Sequence, residues 1–132
     1  MKKTFTWKIW AVLFLSGLSY AIIYSIPYIK YVFYDAMAVA TGGTNTQLGL
    51  AMSIYGAGNL ISILIGGFVV DKFNYKTCIL LSLIGTAALC LWLAVDPSIN
   101  NVYIIWALMI ITSLLVFDPA IYKITRMIVP EE

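Results

Sequence analysis

The chain has 132 residues, of which 62% are hydrophobic and 11% charged, and its eight basic and six acidic side chains leave a net charge of +2. With a mean hydropathy of +0.95, that composition lies outside the range of soluble globular domains and predicts an integral membrane protein. There is no histidine, and Cys78 and Cys90 lie twelve residues apart in one apolar run. At a rise of about 1.5 Å per residue they are roughly 18 Å apart, too far for a disulfide, so no Cys/His metal cluster is expected.

Lys2, Lys3 and Lys8 make a short basic N-terminus. The apolar run that follows passes Pro27 without a small-residue cleavage site, so it predicts a retained first helix over about residues 9–34 rather than a signal peptide. Within it Tyr20, Tyr24, Tyr28 and Tyr31 recur at i, i+4, i+8 and i+11, the period of one helix face. Tyr20 and Tyr24 are too deep for an interfacial aromatic belt, and a hydroxyl-bearing face inside a bilayer implies a wet cavity. Pro27 predicts a bend. Lys30 has two readings: a cation that snorkels to the surface or pairs with Asp35, or an anion-binding group, with Tyr34 one turn away able to contact the same anion.

Residues 41–45, Thr-Gly-Gly-Thr-Asn, form a turn cluster without lysine or arginine. A second span over about 48–70 carries small residues at Gly58, Ser62 and Gly66, with Gly49, Ser53 and Ala57 in a neighbouring row. Such stripes let helix backbones approach closely in lipid; substrate lining is the alternative, and two stripes imply two close neighbours. Asn59, in mid-span, either contacts a solute or hydrogen-bonds to another helix. The third span, about 77–95, is free of charge, and residues 96–101 form a polar turn without a basic residue. A fourth span over about 102–121 frays at Asp118 and Pro119, before Lys123 and Arg126. Four spans with basic residues at alternate ends place both termini in the cytoplasm.

Between the second and third spans stands G-F-V-V-D-K-F-N-Y-K, residues 67–76. On a helix Gly67 and Asp71 share a face, so the glycine should let another helix approach beside the carboxylate. This stretch resembles the G-x-x-x-D-[RK]-x-G-x-[RK]-[RK] signature of the major facilitator superfamily. Gly67, Asp71, Lys72 and Lys76 match; Asn74 replaces the second glycine, as a residue suited to a left-handed turn, and Thr77 replaces the last basic residue. The resemblance implies an all-α integral membrane fold with four transmembrane helices, a part of the N-terminal six-helix half-bundle, in which helices 5–12 lie outside this chain. It also implies secondary transport of a small solute by alternating access, with the bilayer as surroundings. Asp118, at the depth of Lys72 and Lys76, is then a candidate gate latch with one of them, or else a solvated interfacial carboxylate. Tyr24, Lys30 and Phe33 are similar in arrangement to the first helix of the organophosphate:phosphate antiporter branch, with lysine in place of arginine; that implies an organic anion as solute.

No histidine, G-x-S-x-G motif, P-loop or paired intramembrane carboxylates point to an enzyme; no cofactor and no nucleic-acid partner are expected. A complete four-helix protein acting as an oligomer, as an exporter or an assembly partner, is the alternative, although the first span lacks the embedded carboxylate of small multidrug exporters. A bacterial inner membrane is the expected location.

Overall fold

The computed structural model describes residues 6–129, so Lys2, Lys3 and the C-terminal residues 130–132 lie outside the described residues. It holds helices α1 (Trp7–Ser25), α2 (Ile29–Val32), α3 (Tyr34–Thr41), α4 (Asn45–Lys72), α5 (Tyr75–Val95) and α6 (Ile99–Met109), then a π-helical segment (Ile110–Phe117) and α7 (Asp118–Ile128). The last three run on as a single rod, and there is no strand among the described residues. Four stretches, Trp7–Ser25, Asn45–Lys72, Tyr75–Val95 and Ile99–Ile128, are long and apolar enough to cross a bilayer.

The first span is not the unbroken helix expected to residue 34. It stops at Ser25 and resumes as the single turn of α2 and then as α3. Pro27, fully buried, brings no N–H and its ring would strike the carbonyl one turn back. The chain replaces the lost ladder with tighter bonds, Ile29 N–H to the Ile26 carbonyl at 3.1 Å and Tyr31 N–H to the Tyr28 carbonyl at 3.0 Å. Gly42, at φ +64°, ends α3 in the left-handed conformation that glycine adopts without a Cβ penalty.

The other helix starts are set by side-chain caps. Thr44 accepts from the Gln47 N–H at 3.3 Å and Gln47 Oε1 accepts from the Thr44 N–H at 2.9 Å, a reciprocal box that satisfies two orphan donors at the start of α4. Asn74 accepts from the Lys76 N–H at 3.0 Å and so caps α5. Its backbone is extended, at φ −68° and ψ 123°, so the left-handed turn expected at Asn74 is corrected: the side chain, rather than an unusual backbone, makes this residue fit.

The fourth span is the hub, packed most heavily against α4 on one side and α5 on the other. The contact with α4 uses Ala51, Tyr55, Gly58, Ser62 and Gly66, all buried. A Cβ at Gly58 would run into the Ile110 side chain, and one at Gly66 would lie 2.6 Å from Pro119 Cγ and 3.2 Å from the Leu115 carbonyl. The first small stripe is therefore a packing face. Its neighbour is not: Ser53 and Ala57 are exposed and Gly49 half-buried, so among the described residues only one stripe has a close partner. Gly67 also differs from expectation. No atom lies within 4 Å of its Cβ position, and the close approach occurs one residue earlier, at Gly66. On α5 the buried row is Cys78, Ser82, Thr86 and Leu89, and Thr86 Oγ1 donates to Thr112 Oγ1 at 3.3 Å. By comparison α1 is loosely held. Ile23, its one buried residue, packs with Phe117 and Ile121.

Candidate functional site

The tyrosine period of the first span survives the break at Pro27. Tyr20 and Tyr24 stack with ring centroids 4.4 Å apart, Tyr24 and Tyr28 at 6.5 Å, and Tyr28 and Tyr31 at 6.1 Å. Tyr20, Tyr24 and Tyr28 of this ladder form one wall of a cavity of about 950 Å³ between the first span, α4 and the fourth span. Asn59, Ser62, Gly67 and Asp71 of α4 form the second wall, and Leu114, Asp118, Tyr122, Lys123 and Arg126 contribute to the third.

Two polar contacts close the walls together. The Tyr24 hydroxyl donates to Asp118 Oδ2 at 2.5 Å, joining the first span to α7. Lys123 Nζ lies 3.0 Å from Asp71 Oδ1 and also donates to the Val70 carbonyl at 3.3 Å, joining α7 to the end of α4. The other carboxylate oxygen of Asp118, Oδ1, is sealed from solvent and has no hydrogen-bond partner among the described residues. A carboxylate inside a bilayer that is only half satisfied is costly and characteristically functional. Behind the ladder Tyr55 meets Tyr28 edge-on, with an interplanar angle of 87°, and shares a 2.8 Å hydrogen bond with Ser113 of the π segment. Buried and fully paired, Tyr55 braces the ladder from α4.

Of the candidates read from the sequence, Tyr24, Tyr28, Asn59, Gly67, Asp71 and Asp118 line this one cavity, whereas Lys30, Tyr34, Lys72 and Lys76 do not. Lys30 lies beyond the far end of the ladder. Its ammonium is 5.3 Å from the Tyr31 ring centroid, a cation–π distance, and 3.9 Å from where a Gly49 Cβ would stand. Neither Asp35 nor any other described carboxylate is within ion-pair distance of it. Lys72 and Lys76 are exposed at the opposite end. The latch expected between Asp118 and one of those lysines is not formed: Asp118 is bonded to Tyr24, and the ion pair at that end joins Asp71 and Lys123. Lys123 and Arg126 had been legible only as charges that orient the chain; their i, i+3 spacing, one turn after Asp118 and Pro119, placed them on a cavity-facing stripe. Tyr55 and Ser113 carried a weaker signal, as polar groups in the middle of apolar spans.

The Asp71–Lys123 pair contributes little to stability, because Asp71 is 76% and Lys123 36% exposed. Lys123→Ala should lower the unfolding free energy by less than about 1 kcal/mol, measured by thermal unfolding in detergent; a larger loss means that the contact with the Val70 carbonyl matters more than the ion pair.

The sequence model of the Major Facilitator Superfamily matches residues 9–132. Two inner membrane proteins of Escherichia coli (strain K12) are similar: YihN is 30% identical over 118 residues, covering 89% of this chain and 28% of that protein, and YqcE is 29% identical over 92 residues, 70% of this chain and 22% of that protein. An uncharacterized protein of Mycoplasma pneumoniae is 29% identical over 84 residues, 63% of this chain and 65% of it. No solved structure matches. This chain spans about a quarter of the length of its two E. coli relatives. With four membrane-crossing helices and a family match over nearly its whole length, the chain belongs to the Major Facilitator Superfamily.

Proposed function

We propose that this chain supplies the first four helices of a secondary transporter that moves a small organic anion by alternating access. The observation that carries the reading is the cavity of about 950 Å³ walled by stacked tyrosines, Asn59 and the Tyr24–Asp118 bond. A polar cavity at membrane depth is where family transporters place a solute, at the junction of helices that move relative to one another. Hydroxyls and an amide suit a solute rich in hydrogen-bonding groups. Lys30 supplies the charge: a half-buried cation at the far end of the ladder, without a carboxylate partner among the described residues, is available for an anionic group that enters there. Helices 5–12 of the superfamily fold would complete the cavity. In the bacterial inner membrane, Lys72, Lys76, Lys123 and Arg126 would face the cytoplasm and Lys30 the other side.

The test is counterflow in proteoliposomes that contain the intact protein, with a panel of radiolabelled sugar phosphates, carboxylates and sulfonates. Saturable exchange of at least one member is expected, and Lys30→Ala should slow it about 10- to 100-fold, the loss of one charge-assisted hydrogen bond of roughly 1.5–3 kcal/mol. No saturable exchange with any member would sink the organic-anion reading. Exchange that is indifferent to Lys30→Ala would remove that residue from the site.

A further inference from the structure

The fourth span changes its winding in the middle of the bundle. Ile110–Phe117 follow the wider π turn, and the Asp118 N–H reaches back five residues to the Ser113 carbonyl. Three polar side chains in and beside this segment each hold a different helix. Thr112 is bonded to Thr86 of α5, Ser113 to Tyr55 of α4, and Asp118 to Tyr24 of α1. The first two anchors stand in the first half of the π segment, and the third stands just beyond its end.

That order has a mechanical consequence. A π turn stores extra residue length relative to an α turn. Returning one turn to α winding after Ser113 rotates all that follows by about 100° and shifts it by about 1.5 Å, the values for a single residue. Thr112 and Ser113 would stay bonded while α7 turned as a unit. Asp118 would leave Tyr24, and Lys123, five residues further along α7, would leave Asp71. One local change would thus open both contacts that join the cavity walls.

The surroundings act on such a change in both directions. Pro119 has no N–H, so where the ladder changes phase there is no donor to lose. Against it stand the close packing of Pro119 and the Leu115 carbonyl on Gly66 and the burial of Phe117 and Ala120, which the turn must break, whereas the contact of Thr112 with Gly85, where a Cβ would lie 2.9 Å from Thr112 Cγ2, stays in place. The first span, held by few buried contacts, offers little resistance.

We propose that Ile110–Phe117 is a register switch, in which exchange between π and α winding turns α7 and releases Asp118 from Tyr24 together with Lys123 from Asp71. Its role in opening the solute cavity rests on the transporter reading, but the switch itself is read without solute.

Spin labels at Lys76 of α5 and Arg126 of α7, both exposed, report the turn in the intact protein in nanodiscs. Side chains on a helix of about 5 Å radius move by roughly 8 Å on a 100° rotation, so two resolved distance populations are expected. Deleting Leu115, which removes the extra residue and so gives α winding with α7 in its present orientation, should collapse them onto the clasped one, whereas Asp118→Ala, which removes the clasp, should enrich the rotated one. A single population that neither variant changes would overturn the switch. Should the deletion fail to fold, Asp118→Ala alone decides, because an unchanged distribution there is equally fatal. Counterflow stands apart: if it persists without the second population, the switch fails and the transporter reading does not.

Discussion

Gly66→Ala should destabilise the bundle by about 1–3 kcal/mol, the range for adding a methyl to a packed contact. The new Cβ would lie 2.6 Å from Pro119 Cγ and 3.2 Å from the Leu115 carbonyl. A pyrrolidine ring and a backbone oxygen cannot rotate aside, so helices α4 and α7 would have to separate. Gly58→Ala makes an instructive comparison: its Cβ would run into Cδ1, Cγ1 and Cγ2 of Ile110 together, and a β-branched side chain has little χ1 freedom in a helix with which to move aside. A comparable loss is expected there. Gly67→Ala, which meets nothing within 4 Å, should fall within about 0.5 kcal/mol of the parent. Thermal unfolding of the three variants in detergent should show large losses for Gly66 and Gly58 and almost none for Gly67. The reverse pattern would mean that the second and fourth spans are not packed through Gly66.

The second large effect is expected at the Tyr24–Asp118 bond. Tyr24→Phe retains the ring, and with it the 4.4 Å stack on Tyr20, while deleting only the hydroxyl that donates to Asp118. Asp118→Ala removes the carboxylate and leaves the Tyr24 hydroxyl without its acceptor. Each should slow solute exchange about 10- to 100-fold, matching the roughly 1.5–3 kcal/mol carried by a hydrogen bond to a charged group. Because the two groups act through one bond, the double variant should be little worse than the poorer single one. Initial rates of counterflow for the four proteins complete the cycle. Losses that multiply would show that Tyr24 and Asp118 serve the cavity independently.

Much of this architecture was readable before any coordinates, for reasons that differ from residue to residue. Spans, turns and the end at which the basic residues gather follow from the bilayer, which demands about twenty apolar residues per crossing and sorts lysine and arginine by side. The tyrosine ladder was legible because a period of four survives even where the helix carrying it is broken at Pro27. Caps and partners were harder. Asn74 reads as a residue suited to a left-handed turn, but it fits as a cap, because its short amide reaches the Lys76 N–H from an extended backbone. Asp118 reads either as a latch with Lys72 or Lys76 or as a solvated carboxylate, because a linear reading pairs charge with charge or with water; in the fold Tyr24 lies level with Asp118, and Asp71 meets Lys123. The π segment left no mark that propensity could detect, since Ile110–Phe117 is an ordinary apolar octet. Its cause is tertiary, in the anchors at Thr112, Ser113 and Asp118 and in the missing donor of Pro119.

The central claim, that the ladder and Asn59 face a water-filled cavity rather than lipid, is tested most directly by thiol accessibility. In the intact protein, with Cys78 and Cys90 replaced by alanine, single cysteines would be placed at Tyr20, Asn59, Leu64 and Leu81, and membrane vesicles treated with a charged thiol reagent. Tyr20 and Asn59 line the cavity, while Leu64 and Leu81 are exposed, 76% and 60%, on outward faces of their helices. Rapid labelling at residues 20 and 59, with none at 64 and 81, is the predicted result. Asn59→Cys as inert as Leu64→Cys would contradict the account, because the cavity would then be closed to water and could hold no polar solute.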